Sequence, residues 1–143
     1  MKSILLFVFL ACFATHGFCQ MNDSIAIVRV LEKESATWRS GDSTAHAGCW
    51  QTEPYSTIII MTAGKTFAVP LDKIIHPAPG TAGQGGTSRN SNYHMCIHGI
   101  TALVTHNETS TSVNGSVNHT YEVRMLEKIN GQWKLTGQII QVL

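Results

Sequence analysis

The chain has 143 residues, with 10 Lys and Arg against 9 Asp and Glu, 4 Cys, 4 Pro, 12 Gly and 43% hydrophobic residues. A chain of this length folds around one core, and its apolar content excludes a disordered or collagen-like polymer. A formal net charge of +1 provides no basic field to meet a phosphate backbone, so nucleic acid is excluded as a partner on composition.

Lys2 precedes an apolar run from Ile4 to Ala14, and small residues stand at Gly17 and Cys19. This is the three-part pattern of a secretory signal, with cleavage expected after Cys19, so that residues 1–19 leave and residues 20–143 form a single secreted or periplasmic domain. A buried N-terminal helix is the alternative. The run is about half of the ~20 apolar residues that span a bilayer, and no later stretch approaches that length, so no transmembrane segment is expected in the mature chain. Neither Cys12 nor Cys19 makes a good acylation site: Cys19 lacks the aliphatic and small residues expected just upstream, and using Cys12 would leave a very short apolar core. Loss of Lys2 with the leader leaves 9 basic against 9 acidic residues, a formally neutral domain. Cys49 and Cys96 remain, and their separation in sequence does not decide whether they are bridged.

Asp23-Ser24 offers a cap to a long amphipathic helix in which Ile25, Val28, Leu31, Ser35 and Trp38 recur at helical spacing until Ser40-Gly41. Asp42 and Ser43 cap a shorter helix through Ala45, Ala47 and Cys49-Trp50, broken before Pro54. From Tyr55 to Thr62 a continuous β-branched run reads as a strand covered on both faces, turned by Ala63-Gly64-Lys65. Phe67-Ala68-Val69 is a short strand, followed by a helical turn at Leu71 to Ile75. From His76 to Asn92 two Pro, four Gly and many small polar residues predict an open loop, either a mobile lid or an idle insertion. Strands are then expected near 93–106, 108–113, 117–129 and 132–142, with Asn-Gly turns at Asn114-Gly115 and Asn130-Gly131. Helices followed by long antiparallel strands define an α+β domain whose helices cover one face of a bent sheet.

The succession of helix, Trp38, Gly41-Asp42, helix, Cys49-Trp50, Glu53-Pro54-Tyr55 and strand, closing with Leu126-Glu127-Lys128-Ile129-Asn130-Gly131-Gln132-Trp133-Lys134-Leu135, resembles the SnoaL-like branch of the nuclear transport factor 2 (ketosteroid isomerase-like) superfamily. The resemblance covers nearly the whole mature chain. It implies a strongly curved sheet that forms a cone with its helices, a small-molecule ligand in the cone, and a homodimer. It does not choose among isomerases, hydrolases and binding proteins, because one fold hosts many activities.

His94, Cys96 and His98 alternate along one strand, with His106 on the same parity. Imidazole and thiolate bind zinc, yet no HExxH or CxxC accompanies them, so no metal or other cofactor is expected. His98, mid-strand and ahead of Gly99, is the candidate general base, since imidazole titrates near neutrality. Glu53 and Glu122 are the only carboxylates expected near pocket walls, and neither has the paired donor of isomerase chemistry. Aromatic and long apolar side chains are the candidate walls of a ligand pocket: Trp38, Trp50, Tyr55, Phe67, Tyr121 and Met125. On the strand after Val117 the odd set Val117, His119, Tyr121, Val123 and Met125 is expected to face the helices, and Thr120, Glu122, Arg124 and Leu126 to face away. Four Asn-x-Ser/Thr sequons begin at Asn22, Asn107, Asn114 and Asn118. The expected function is binding of a small, largely apolar molecule. The alternatives are a hydrolase or isomerase with a pocket His as base, and a dimerising module with a filled cone.

Overall fold

Helix α1, residues 22–40, forms because its buried residues fall on one stripe: Asp23, Ile27, Leu31, Glu34 and Ser35 are all at least nine-tenths buried. The computed structural model describes residues 22–143, and the expected signal segment lies outside the described residues. Asp23 works as a tertiary anchor rather than as the expected cap. Its Oδ1 accepts hydrogen bonds from Lys128 Nζ at 2.6 Å and Trp133 Nε1 at 3.0 Å, and these bonds hold its carboxyl below the ordinary carboxylate range. Gly41, at φ +77°, ends the helix. Asp42 then caps α2 (Ser43–Ala47), its Oδ1 accepting from the Ala45 N–H at 2.9 Å, as the sequence predicts.

α2 stops at Ala47, short of the expected end: Cys49-Trp50 is an extended link laid parallel to the last strand, with Gln51 N–H donating to Leu135 O and Leu135 N–H donating to Cys49 O. It leads into β1 (Thr57–Thr62), β2 (Lys65–Val69) and α3 (Leu71–Ile75). The remaining strands are β3 (Thr87–His98), β4 (Thr101–Thr111), β5 (Val117–Ile129) and β6 (Gln132–Val142). They form one six-stranded sheet in the order β2-β1-β6-β5-β4-β3, antiparallel except for the β1–β6 pair. This is the expected α+β cone. The β5–β6 hairpin has the predicted bounds, and its Asn130-Gly131 turn has φ +49° and +78°, as a two-residue hairpin loop requires.

Two expectations on the sheet are corrected. The segment 93–106 is no single strand: a turn at Gly99-Ile100 pairs His98 with Thr101 and folds it into the β3–β4 hairpin. Tyr93 to Thr105 alternates too regularly for the pattern alone to reveal that turn. The loop after His76 is also shorter than predicted, because Thr87–Ser91 pairs with Asn107–Thr111 despite its polar, non-periodic sequence. The partner strand supplies the hydrogen bonds that intrinsic propensity does not favour. What remains of the loop is pinned to the end of α1, Gly83 N–H donating to Trp38 O at 2.9 Å and Gly85 N–H to Arg39 O at 3.0 Å.

The apolar core joins Ile27 and Leu31 of α1 to Ala102, Val104, Leu126, Trp133 and Leu135 of the sheet, with Trp50, Ile58 and Ile74 at its flank. Cys49 is buried and Cys96 exposed, and both are free thiols.

The junction of loop and β3 is closely packed. Gly86 has φ +82°, and a Cβ there would lie 2.3 Å from the Thr111 carbonyl oxygen. Gly86→Ala is expected to lower unfolding free energy by about 1–3 kcal/mol, read as a reduced urea midpoint. An unchanged midpoint would contradict this close approach.

Candidate functional site

The side of the sheet that faces α1 is set by β5, and it is the opposite of the expected one. Thr120, Glu122, Arg124 and Leu126 are buried, while Tyr121 is 38% exposed and Val123 and Met125 lie on the outer face. Cross-strand pairing carries this parity through the sheet: Glu122 is flanked by His106 and Ile140, and Arg124 by Val104 and Gln138. The apolar-inward rule fails on β5 because α1 brings its own carboxylate, Glu34, to meet the arginine.

The inward polar groups form one network. Arg124 Nη1 lies 3.1 Å from Glu34 Oε2, and Arg124 Nη2 lies 2.5 Å from Glu122 Oε2. Glu122 also accepts from Thr120 Oγ1 at 2.8 Å and Gln138 Nε2 at 3.0 Å. Nearby, Arg39 Nη2 meets Glu108 Oε1 at 2.5 Å, and Ser35 Oγ donates to Glu108 Oε2 at 3.0 Å. Burial works against the Arg124 charge, but Glu34, Glu122 and Glu108 outweigh it and raise its pKa further. Burial, and next the Glu122 charge, raise the Glu108 carboxyl above its ordinary range. His106 is fully buried, stands 3.8 Å from Glu122 Oε2 and, among the described residues, has no hydrogen-bond partner on either ring nitrogen. Burial, then Arg124, lower its pKa and keep the ring neutral.

A cavity of about 450 Å³ opens against this network. One wall is apolar, from Ile58, Ile60, Val69, Ile74 and Ile140; the other is polar, from Glu34, Glu122, Arg124 and Gln138. Trp38 and His46 close the α1–α2 side, their rings 5.1 Å apart. A second hollow, about 560 Å³, lies between α1 and Gly85–Asn90, but the inward network faces the first. We therefore place the candidate site in the cone.

Of the expected site residues, Trp38 lines this cavity. Trp50 is buried in the core beside Leu135. Tyr55 is exposed and donates to the Glu127 carboxylate at 3.2 Å, away from the cone. Phe67 is half-exposed on the edge strand β2. Tyr121 and Met125 face outward, and Met125 packs on Gly137. His98 is exposed at the tip of the β3–β4 hairpin, and His94 and Cys96 share its outer face, because Tyr93, Met95 and Ile97 take the inward positions. His106, expected on the parity of His98, is turned inward by the Gly99-Ile100 hairpin. Among the described residues no three His, Cys, Asp or Glu are grouped to hold a metal ion.

The site residues absent from the expectation are Glu34, His46, Thr120, Arg124 and Gln138, whereas Glu122 is one of the two carboxylates expected near a wall. Part of their signal is in the sequence: Glu34 lies three residues after Leu31 and seven after Ile27, on the apolar stripe, where a carboxylate needs a buried partner.

No family model matches the chain, and neither does any curated protein sequence. Solved structures do. An NTF2-like protein of unknown function from Shewanella baltica has a TM-score of 0.60 at 21% identity, covering 86% of this chain and 95% of that one. An NTF2-like protein with a cystatin-like fold from Novosphingobium aromaticivorans has a TM-score of 0.67 at 13% identity, covering 91% and 88%. A protein of unknown function with a cystatin-like fold from Nostoc punctiforme has a TM-score of 0.66 at 15% identity, covering 85% and 91%. The fold of this chain is therefore the NTF2-like, cystatin-like α+β fold, and at these identities the likeness speaks for the fold alone.

The Arg124 network predicts a large stability effect. Arg124→Met removes the cation between Glu34 and Glu122 and leaves two buried carboxylates uncompensated, so unfolding free energy should fall by about 3–5 kcal/mol in a denaturant titration. A loss below about 1 kcal/mol would mean that solvent already screens these charges.

Proposed function

We propose that the protein is an exported binding protein that takes a small molecule with a largely apolar body into its cone. One observation carries this reading: an open cavity of about 450 Å³ with one isoleucine-rich wall and one hydrogen-bonding wall. That volume is within the range of small-molecule sites, and such sites pair an apolar lining with a few convergent polar groups. An open cone also speaks against the filled, purely structural module. In the enzymatic alternative, a hydrolase or isomerase with a pocket base, the role falls to His46, the histidine that lines the cavity, and not to His98.

Both readings need the cone open, and the experiment is to close it. Ile60→Trp should fill the apolar side; the neutral dye Nile red should bind the wild type saturably, and the variant at least about tenfold more weakly, with far-ultraviolet circular dichroism unchanged. Equal binding by both proteins would place the dye elsewhere and remove the support for a cone ligand.

Export rests on the charged start, apolar run and small residues of segment 1–19. A homodimer through the outer sheet face is supported by Leu103, Val117 and Tyr121, which are 47%, 57% and 38% exposed there. Native mass of the exported protein at micromolar concentration should be about twice that of the chain lacking residues 1–19. A monomer would exclude the dimer, and retention of Met1 would exclude the cleaved leader.

A further inference from the structure

The outer face of β3 carries chemistry that the cone does not use. His94, Cys96 and His98 are all exposed there, while Tyr93, Met95 and Ile97 between them pack toward the core. From His94 to His98 the strand is regular, each residue paired in step with β4 from Thr105 to Thr101, so the irregularity between Ser91 and His94 ends where this stripe begins. Neighbours on the stripe stand about 6.5–7 Å apart. β3 is also an outermost strand of the sheet, with β4 on one side only, so the stripe is reached from the open edge as well as from the face.

Among the described residues nothing competes for these side chains. Cys96 is a free thiol, and none of the three side chains takes part in a hydrogen bond or ion pair. The positions facing them on β4, Thr105, Leu103 and Thr101, bring no charge, and Thr101 Oγ1 is occupied in donating to the His98 carbonyl oxygen at 3.0 Å. The other thiol is no rival. Cys49 is buried, and burial pushes its pKa up, away from the thiolate form that a metal takes.

We propose that this stripe binds a divalent transition-metal ion of the zinc class, with Cys96 Sγ as the constant ligand and the imidazole of His94 or of His98 as the second. Zinc lies about 2.3 Å from sulfur and about 2.0–2.1 Å from an imidazole nitrogen, and a ring leaning along the strand spans the rest of one interval. The two histidines stand on opposite sides of Cys96, so the ion takes one of them at a time and water fills its other positions. This agrees with the finding that no three ligands are grouped among the described residues. Thiolate and imidazole select zinc or cobalt over magnesium and calcium, which take oxygen ligands. On binding, a metal–sulfur bond forms and the thiol proton leaves to solvent, one per ion. The site lies on the face opposite the cone and does not depend on what the cone holds.

The test is titration of the untagged exported protein, reduced and metal-free, with cobalt(II) and then zinc(II) at about pH 7.5, where solvent accepts the thiol proton. Cobalt should bring up a thiolate-to-metal charge-transfer absorption that saturates at one ion per chain, and zinc should displace it with a Kd of about 1–100 µM, the range left when two protein ligands stand in place of four. Cys96→Ser should abolish that absorption and weaken zinc binding at least about tenfold. His94→Ala and His98→Ala should each weaken zinc binding only about twofold, because the other imidazole takes over, whereas the double variant should weaken it at least about tenfold. All three positions are exposed, so far-ultraviolet circular dichroism should be unchanged in every variant. Absence of the charge-transfer absorption in the wild type would overturn the inference. So would a Cys96→Ser variant, or a double histidine variant, that binds zinc as the wild type does.

Discussion

Arg124 is held between a carboxylate of the helix and a carboxylate of its own strand, and the arrangement of the cone follows from that. The guanidinium is almost fully buried, and removing it from water without partners would be prohibitive. Glu34 supplies one partner from α1 and Glu122 the other from β5, with Thr120 and Gln138 completing the bonds to Glu122. The contact therefore fixes three things together: which stripe of α1 turns inward, which parity of β5 faces it, and where the floor of the cavity lies. Buried ion pairs of this kind contribute little net stability relative to apolar packing, so its presence fits a constraint on the site better than one on the fold.

Stability comes from the other end of the cone. Ile27 and Leu31 pack on Leu126, Trp133 and Leu135 near the β5–β6 hairpin, where Asp23 also ties the helix to Lys128 and Trp133. Moving along the same inner face, the side chains change from leucine and tryptophan to arginine, glutamate and glutamine, and the packing opens into the cavity. An apolar lining alone would tend to collapse or fill; charges that already bond each other resist further desolvation and keep the space open. The loop Gly83–Gly86, pinned to the last carbonyls of α1, holds the helix end against β3 beside that opening.

Much of the architecture was legible because its signals are local. The Asp42 cap, the Asn130-Gly131 turn and the alternation along Gln132–Val142 each need only neighbouring residues; β5 and β6 stand where these signals put them, and α2 begins where its cap puts it. The β3–β4 hairpin was hidden because Gly99-Ile100 carries no Asn-Gly or Asp-Gly signature and its flanks alternate on both sides. The first half of β3 was hidden for the opposite reason, since Thr87–Ser91 has a loop-like composition and becomes a strand through its partner.

Sequence alone determined the α+β class, the helix-first order, the closing hairpin and the presence of a long amphipathic helix, all of which depend on periodicities and turn residues within a few positions. Tertiary structure decided which face of β5 is inside, and with it the site. On that strand Val117, Tyr121, Val123 and Met125 looked like the inner set, and the strand pattern contains no term for a glutamate 90 residues away that would make Arg124 the better buried side chain. The energy of a buried charge depends on the position of its counter-charge, which is a property of the folded chain rather than of any segment in it.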